Sequence, residues 1–244
     1  MKNIFSRVII CIISFTFLNA APESFDWRNY NLVSPVKDAG SMGSSWAITL
    51  ANHLETLYAK HYGIYVGLSD KMILDCCINE NNFSLKLMEI TFQWLKKNGI
   101  MRESDYDYPF TGLKGTCKFD MNKSVMKIIG YKKIGNALNN DSCADEEEIK
   151  EYLVENGPLI VAFNANPLQT YSNGILDTSN TKCSEKIINH AALLVGYGSS
   201  YGIDYWIVKN TWGRSWGESG YFRIRRGKGT CGINCNVICA KVAF

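Results

Sequence analysis

The side chains with chemical potential in this 244-residue chain gather in four stretches. Residues 22–28 read Pro-Glu-Ser-Phe-Asp-Trp-Arg, and residues 35–47 run from Pro35 through Lys37-Asp38-Ala39 to Ser44-Ser45-Trp46-Ala47. Asn189-His190-Ala191 leads into Val195-Gly196-Tyr197-Gly198, and Lys209-Asn210-Thr211-Trp212-Gly213 leads into Trp216-Gly217-Glu218. Hydroxyl, imidazole and amide groups are the parts from which acyl-transfer sites are assembled. Spacing alone assigns none of them a role.

Cysteines are the other reactive groups. Residues 1–20 are expected to be a secretory signal peptide, with Lys2 and Arg7 as a basic start, an apolar middle too short to span a bilayer, and Asn19-Ala20-Ala21 as small residues for cleavage. Setting Cys11 aside with that leader leaves eight of nine cysteines, an even number that an oxidising compartment turns mostly into disulfides. The run Cys231-x3-Cys235-x3-Cys239 invites a zinc reading, but it lacks CxxC pairs and has no histidine near it. No metal site and no cofactor is expected. Asn82, Asn122 and Asn140 each open an Asn-x-Ser triplet and are glycosylation candidates.

The elements that must position these groups fall into two kinds. From Ser44 or Ser45 to about His61, apolar residues recur every three and four positions, which predicts a core helix; His53 and His61 fall on its polar side and are expected to be solvated. Ser45 also suits a helix N-cap. A second helix is predicted over residues 85–97 and a third from about Asp145 to Asn156, with acids at its start and Gly157-Pro158 at its end. Beyond Pro158, residues 159–163, 191–197, 205–209 and 221–224 are short apolar or aromatic runs separated by turn residues, the pattern of antiparallel strands. Helices followed by strands predict an α+β arrangement, with a cleft between lobes as the natural place for a site.

Taken together, the four stretches resemble the papain/cathepsin L family of cysteine peptidases, from Pro22 to the end of the chain. The resemblance implies a papain-like two-lobed fold: a helical N-terminal lobe with a long central helix, an antiparallel sheet or barrel in the C-terminal lobe, and a cleft between them. It implies catalytic positions at Ser45, His190 and Asn210, with separations of 190 − 45 = 145 and 210 − 45 = 165. Trp46 follows the nucleophile position, and Trp212 matches the indole that covers the His–Asn pair. It further implies disulfides Cys76–Cys117 and Cys183–Cys231; Cys77, Cys143, Cys235 and Cys239 are left to pair in any of three ways.

Several positions depart from the family pattern. Ser45 stands where the family has its cysteine, and an alcohol cannot be stored as the anion the way a thiol can. Ala39 replaces the glutamine whose amide supplies one oxyanion donor, a loss that typically costs about 10²–10³ in rate. Met42 and residues 77–84 lack a further disulfide and its glycine-rich segment, so the peptide subsites are expected to be remodelled.

These losses lead to the expectation of a secreted papain-fold protein without enzymatic activity, acting by binding as a decoy, competitor or structural component. The alternative is a hydrolase using Ser45, His190 and Asn210, peptidase-like or similar to the serine-bearing silicateins. Residues 21–244 are expected to form one domain with no propeptide, outside the cell or in the lumen of the secretory or lysosomal pathway. The cleft is expected to take a peptide or protein ligand, including peptidase inhibitors. Lys+Arg 26 against Asp+Glu 23 gives no basic face for nucleic acid or membrane, and a monomer is expected.

Overall fold

The computed structural model describes residues 21–40, 44–77, 84–106, 113–134, 143–178 and 183–243. The signal-peptide expectation therefore lies outside the described residues, as do Met42, Asn82 and Asn140.

The described residues form four α-helices: α1 (Ser45–Tyr62), α2 (Asp70–Cys76), α3 (Leu85–Asn98) and α4 (Glu146–Asn156). Local chemistry sets their ends. Ser69, Ser84 and Asp145 cap α2, α3 and α4 by accepting the backbone N–H groups of Met72, Leu87 and Glu147. Gly63 closes α1 in the left-handed conformation at φ 70°, where a side chain would be strained. No local pattern marked α2, which is only 7 residues long.

Among the described residues nine strands form one sheet: β1 (Phe25–Asp26), β2 (Ile100–Met101), β3 (Ser124–Ile134), β4 (Leu159–Phe163), β5 (Ile175–Leu176), β6 (His190–Ser200), β7 (Ile203–Lys209), β8 (Tyr221–Arg225) and β9 (Val237–Ala243). Their order is β2-β3-β9-β4-β6-β7-β8-β5, with β1 added to β6. The sheet is mixed, because β5 pairs parallel to β8 while the other pairs are antiparallel. β1 can lie on β6 because residue 196 is glycine: a Cβ there would stand 2.4 Å from the Phe25 carbonyl oxygen.

Strand alternation divides the interior into two cores. Ala191, Leu193 and Val195 of β6 face α1, α2 and α3, whereas Ala192 and Leu194 face the inside of the sheet with Phe163, Val208 and Phe222. This is an α+β arrangement, with helices packed against a mixed sheet. α4 joins the second core, and Trp206 Nε1 donates to Glu146 Oε2 at 2.7 Å to hold it there.

Among the described residues three disulfides are formed: Cys76–Cys117, Cys183–Cys231 and Cys143–Cys235. Cys77 and Cys239 are buried thiols, so one of the three open pairings is selected in half and the other two cysteines stay reduced. Among the described residues, the one grouping of metal-type ligands is Cys143, Glu185 and Cys235, and its two sulfurs are already bonded to each other.

Candidate active site

Sheet register builds the site. β6 and β7 are antiparallel neighbours with Leu193 opposite Lys209, so His190 at the start of β6 and Asn210 just after β7 meet at one end of the sheet. His190 is also paired across to Phe163 of β4. His190 is 5% exposed and Asn210 wholly buried, and His190 Nε2 lies 2.8 Å from Asn210 Oδ1.

The proton on this pair is fixed by a third group. Thr211 N–H, which can only donate, also points at Asn210 Oδ1, at 2.8 Å. Oδ1 is thus the acceptor for both neighbours, so His190 carries its proton on Nε2 and leaves the Nδ1 lone pair free in the neutral ring. Burial pushes His190 down to about 4, and the hydrogen bond to Asn210 opposes this only in part. At neutral pH the ring is an uncharged base.

Ser45 opens α1, and the first turns of that helix are tied to the strand that carries His190. Residues four apart share a helix face, and Thr49, one turn after Ser45, donates its Oγ1 to the Ala191 carbonyl at 3.1 Å. This bond ties the first turns of α1 to the strand residue next to His190. Ser44, not Ser45, occupies the N-cap position, and Ser45 opens the helix proper. Ser44 makes no side-chain capping bond, and among the described residues its buried Oγ has no hydrogen-bond partner. Trp46 is 2% exposed and belongs to the helical core.

The opposite wall is a short clamp. Asp38 bridges Trp212, Ala39 N–H donates to the Thr211 carbonyl at 2.8 Å, and Gly213 N–H donates to the Lys37 carbonyl at 3.2 Å. Ala39, 4% exposed, therefore sits directly beside Thr211. Trp212 packs on His190 with ring centroids 5.0 Å apart, and Trp216 meets Trp212 edge-on at 4.9 Å. An indole roof of this kind keeps water from the His190–Asn210 hydrogen bond.

Two groups behave differently from the sequence reading. His53 is wholly buried, not solvated: its Nδ1–H donates to the Pro158 carbonyl and its Nε2 accepts the Ala240 N–H, both at 2.9 Å. Helical periodicity missed this because α1 is buried on nearly every side. His61 is exposed. Lys209, beside Asn210, is 1% exposed and donates to Ser34 Oγ at 2.9 Å; burial pushes it down to about 7. No pattern in the sequence marks Lys209 as buried.

Comparison with known proteins gives the class. The family model described as "Papain family cysteine protease" matches residues 21–241. A viral cathepsin of Adoxophyes honmai nucleopolyhedrovirus is 38% identical over 87% of this chain and 60% of its own length. A cathepsin L-like proteinase of Phaedon cochleariae is 38% identical over 88% of this chain and 64% of its own. The solved digestive procathepsin L 3 of Tenebrio molitor superposes with a TM-score of 0.78 at 36% identity, covering 91% of this chain and 70% of that one. The chain belongs to the papain family of cysteine proteases, and it spans about three fifths of the length of these curated relatives.

This membership corrects one expectation. Relatives named as cathepsins and cysteine proteinases, 35–38% identical over most of the chain, overturn the reading of a non-enzyme. The physical reason lies in the base. That reading rested on the serine at 45, the alanine at 39 and the missing glycine segment, but an alcohol needs a neutral imidazole to take its proton, and the buried His190 is neutral.

Proposed function

We propose that this chain is a papain-fold hydrolase that cleaves peptide or ester bonds by acyl transfer, with Ser45 as nucleophile, His190 as base and Asn210 as the amide that orients the ring. The observation that carries this reading is the shared acceptor: Asn210 Oδ1 takes both the His190 Nε2–H and the Thr211 N–H, which reserves Nδ1 for a proton from the nucleophile. Attack by Ser45 Oγ moves its proton to Nδ1 while the carbonyl π pair moves onto oxygen. Collapse expels the leaving group, which takes the proton from Nδ1, and water then repeats the cycle on the acyl-Ser45 ester.

The first N–H groups of α1 are directed out of the helix and favour negative charge, which suits the Ser45 N–H to the oxyanion. Ala39 offers a methyl group in place of a second donor, so slow turnover is expected. The cleft would take a peptide or protein segment, peptidase inhibitors included, and the chain would act as a monomer. Three disulfides support a secretory or lysosomal location, and among the described residues no helix is long and apolar enough to cross a membrane. Asn122 is exposed in a 3-10 turn and open to glycosylation.

The test is turnover of p-nitrophenyl acetate and a panel of dipeptidyl coumarinamides by the wild type and by Ser45→Ala, with mass spectrometry for an acyl adduct. Burst kinetics and an adduct on Ser45, both absent from the variant, are expected. Equal silence of the two proteins on every substrate overturns the reading.

A further inference from the structure

Ala39 leaves the oxyanion with one donor short, and the structure holds an unspent donor beside the gap. Thr211 is 1% exposed, and among the described residues its Oγ1 has no hydrogen-bond partner. Buried hydroxyls are nearly always paired, so an orphan at a reaction centre asks for a ligand that is not there at rest. Three hydrogen bonds fix the backbone that carries it. Thr211 N–H is held on Asn210 Oδ1 at 2.8 Å, the Thr211 carbonyl accepts Ala39 N–H at 2.8 Å, and Asn210 N–H donates to the Gly220 carbonyl at 2.9 Å. The Thr211 backbone is therefore held between the side-chain oxygen of Asn210, which orients the proposed base, and the backbone of Ala39, where the expected amide donor is missing.

We infer that Thr211 Oγ1–H is the second oxyanion donor of the proposed hydrolase, taking over from the side chain missing at residue 39. The inference rests on the hydrolase reading. In the step concerned, the Ser45 Oγ–carbon bond forms, the Ser45 proton passes to His190 Nδ1, and the carbonyl π pair becomes an oxygen lone pair. That oxygen accepts the Ser45 N–H and the Thr211 Oγ1–H. On collapse the lone pair re-forms the carbonyl, the leaving-group bond breaks, and Thr211 keeps its proton throughout. A threonine suits the task because its β-branched χ1 is stiff and the donor is held in place before the reaction begins.

The inference separates from a packing role through coupling between residues 39 and 211. Thr211→Val keeps the shape and removes the hydroxyl; kcat/KM on p-nitrophenyl acetate and on the best coumarinamide should fall about 10–10²-fold, in kcat and not in KM, while Thr211→Ser keeps most of the rate. Ala39→Gln supplies an amide, and it should raise kcat/KM at least about tenfold more in the Thr211→Val background than in the parent, because the two donors serve one oxygen. Thermal midpoints identify any variant that does not fold, and Thr211→Ala with Ala39→Gln gives the same comparison if valine fails. Ser45-dependent turnover that is insensitive to Thr211→Val, or equal gains from Ala39→Gln in both backgrounds, overturns this inference and leaves the hydrolase reading standing. A wild type that is silent on both substrates overturns the two together.

Discussion

His190 Nε2–H and Asn210 Oδ1 are 2.8 Å apart in a buried site, and the same oxygen is 2.8 Å from Thr211 N–H. An amide whose oxygen is committed twice cannot flip, so the ring it holds keeps one tautomer. This makes Asn210 the most informative residue to change.

Asn210→Ala removes the acceptor of two buried donors. A fall of about 10² in kcat/KM is expected from the loss of a positioned base, with roughly 2–3 kcal/mol of stability lost from the donors left unpaired. Asn210→Asp keeps the acceptor and adds a negative charge beside the ring, so it should restore part of the rate and move the acid limb of the pH profile upward. Kinetics and thermal melts of the two variants check this; equal losses in both would assign Asn210 to packing alone.

The pH dependence of turnover follows from the buried base. His190 must be neutral to accept the Ser45 proton, and burial holds it at about 4. The rate should therefore rise through about pH 4 and stay level to neutrality. A profile of kcat/KM from pH 3.5 to 8 reads this directly. An inflection near the ordinary imidazole value of about 6.5 would place the ring in water.

Stability should share that pH window. His53 and His190 are both depressed to about 4 by burial, against 6.5 when unfolded. Between those values the unfolded chain binds more protons than the folded one, so stability is fully present above about pH 6.5 and is lost as pH falls towards 4. The loss is of the order of 3 kcal/mol per ring at most. His53→Asn should lower the thermal midpoint at pH 7, because the Pro158 carbonyl and the Ala240 N–H lose their partner, and it should also flatten the acid dependence. An unchanged acid slope would remove His53 from the account.

The cysteine pairing gives a count. In protein beginning at Ala21, thiol titration should find two free groups, Cys77 and Cys239, and only after denaturation, since both are buried and burial pushes both thiols up. Replacing Cys143 and Cys235 together by alanine should cost about 2–4 kcal/mol. Four titratable thiols in the parent would mean that the Cys143–Cys235 bond does not form.

Much of this protein is determined by sequence that acts locally. α1, α3 and α4 announce themselves by apolar residues at helical spacing, and α4 also by the acids at its start and Gly157 at its end, because capping and amphipathicity involve neighbours in the chain. β4, β6, β7 and β8 are legible for the same reason, as short apolar runs between turns. The ordered motifs around Ser45, His190 and Asn210 likewise identify the papain-like arrangement and its departures at Ser45 and Ala39.

The rest required the folded chain. β3 carries Lys127, Lys132 and Lys133 among its apolar residues and becomes a strand by pairing with β9, more than 100 residues later, as Lys127 opposite Ala243 shows. His53 sits on the polar side of a helical wheel, yet the Pro158 carbonyl and the Ala240 N–H reach it from distant strands and make its burial tolerable. The choice of Cys143 for Cys235, the clamp that sets Ala39 beside Thr211, and the unpaired Thr211 hydroxyl are likewise facts of packing. Residue types limit which bonds a chain can make, but a buried polar group finds or lacks its partner only when segments far apart in sequence close on each other.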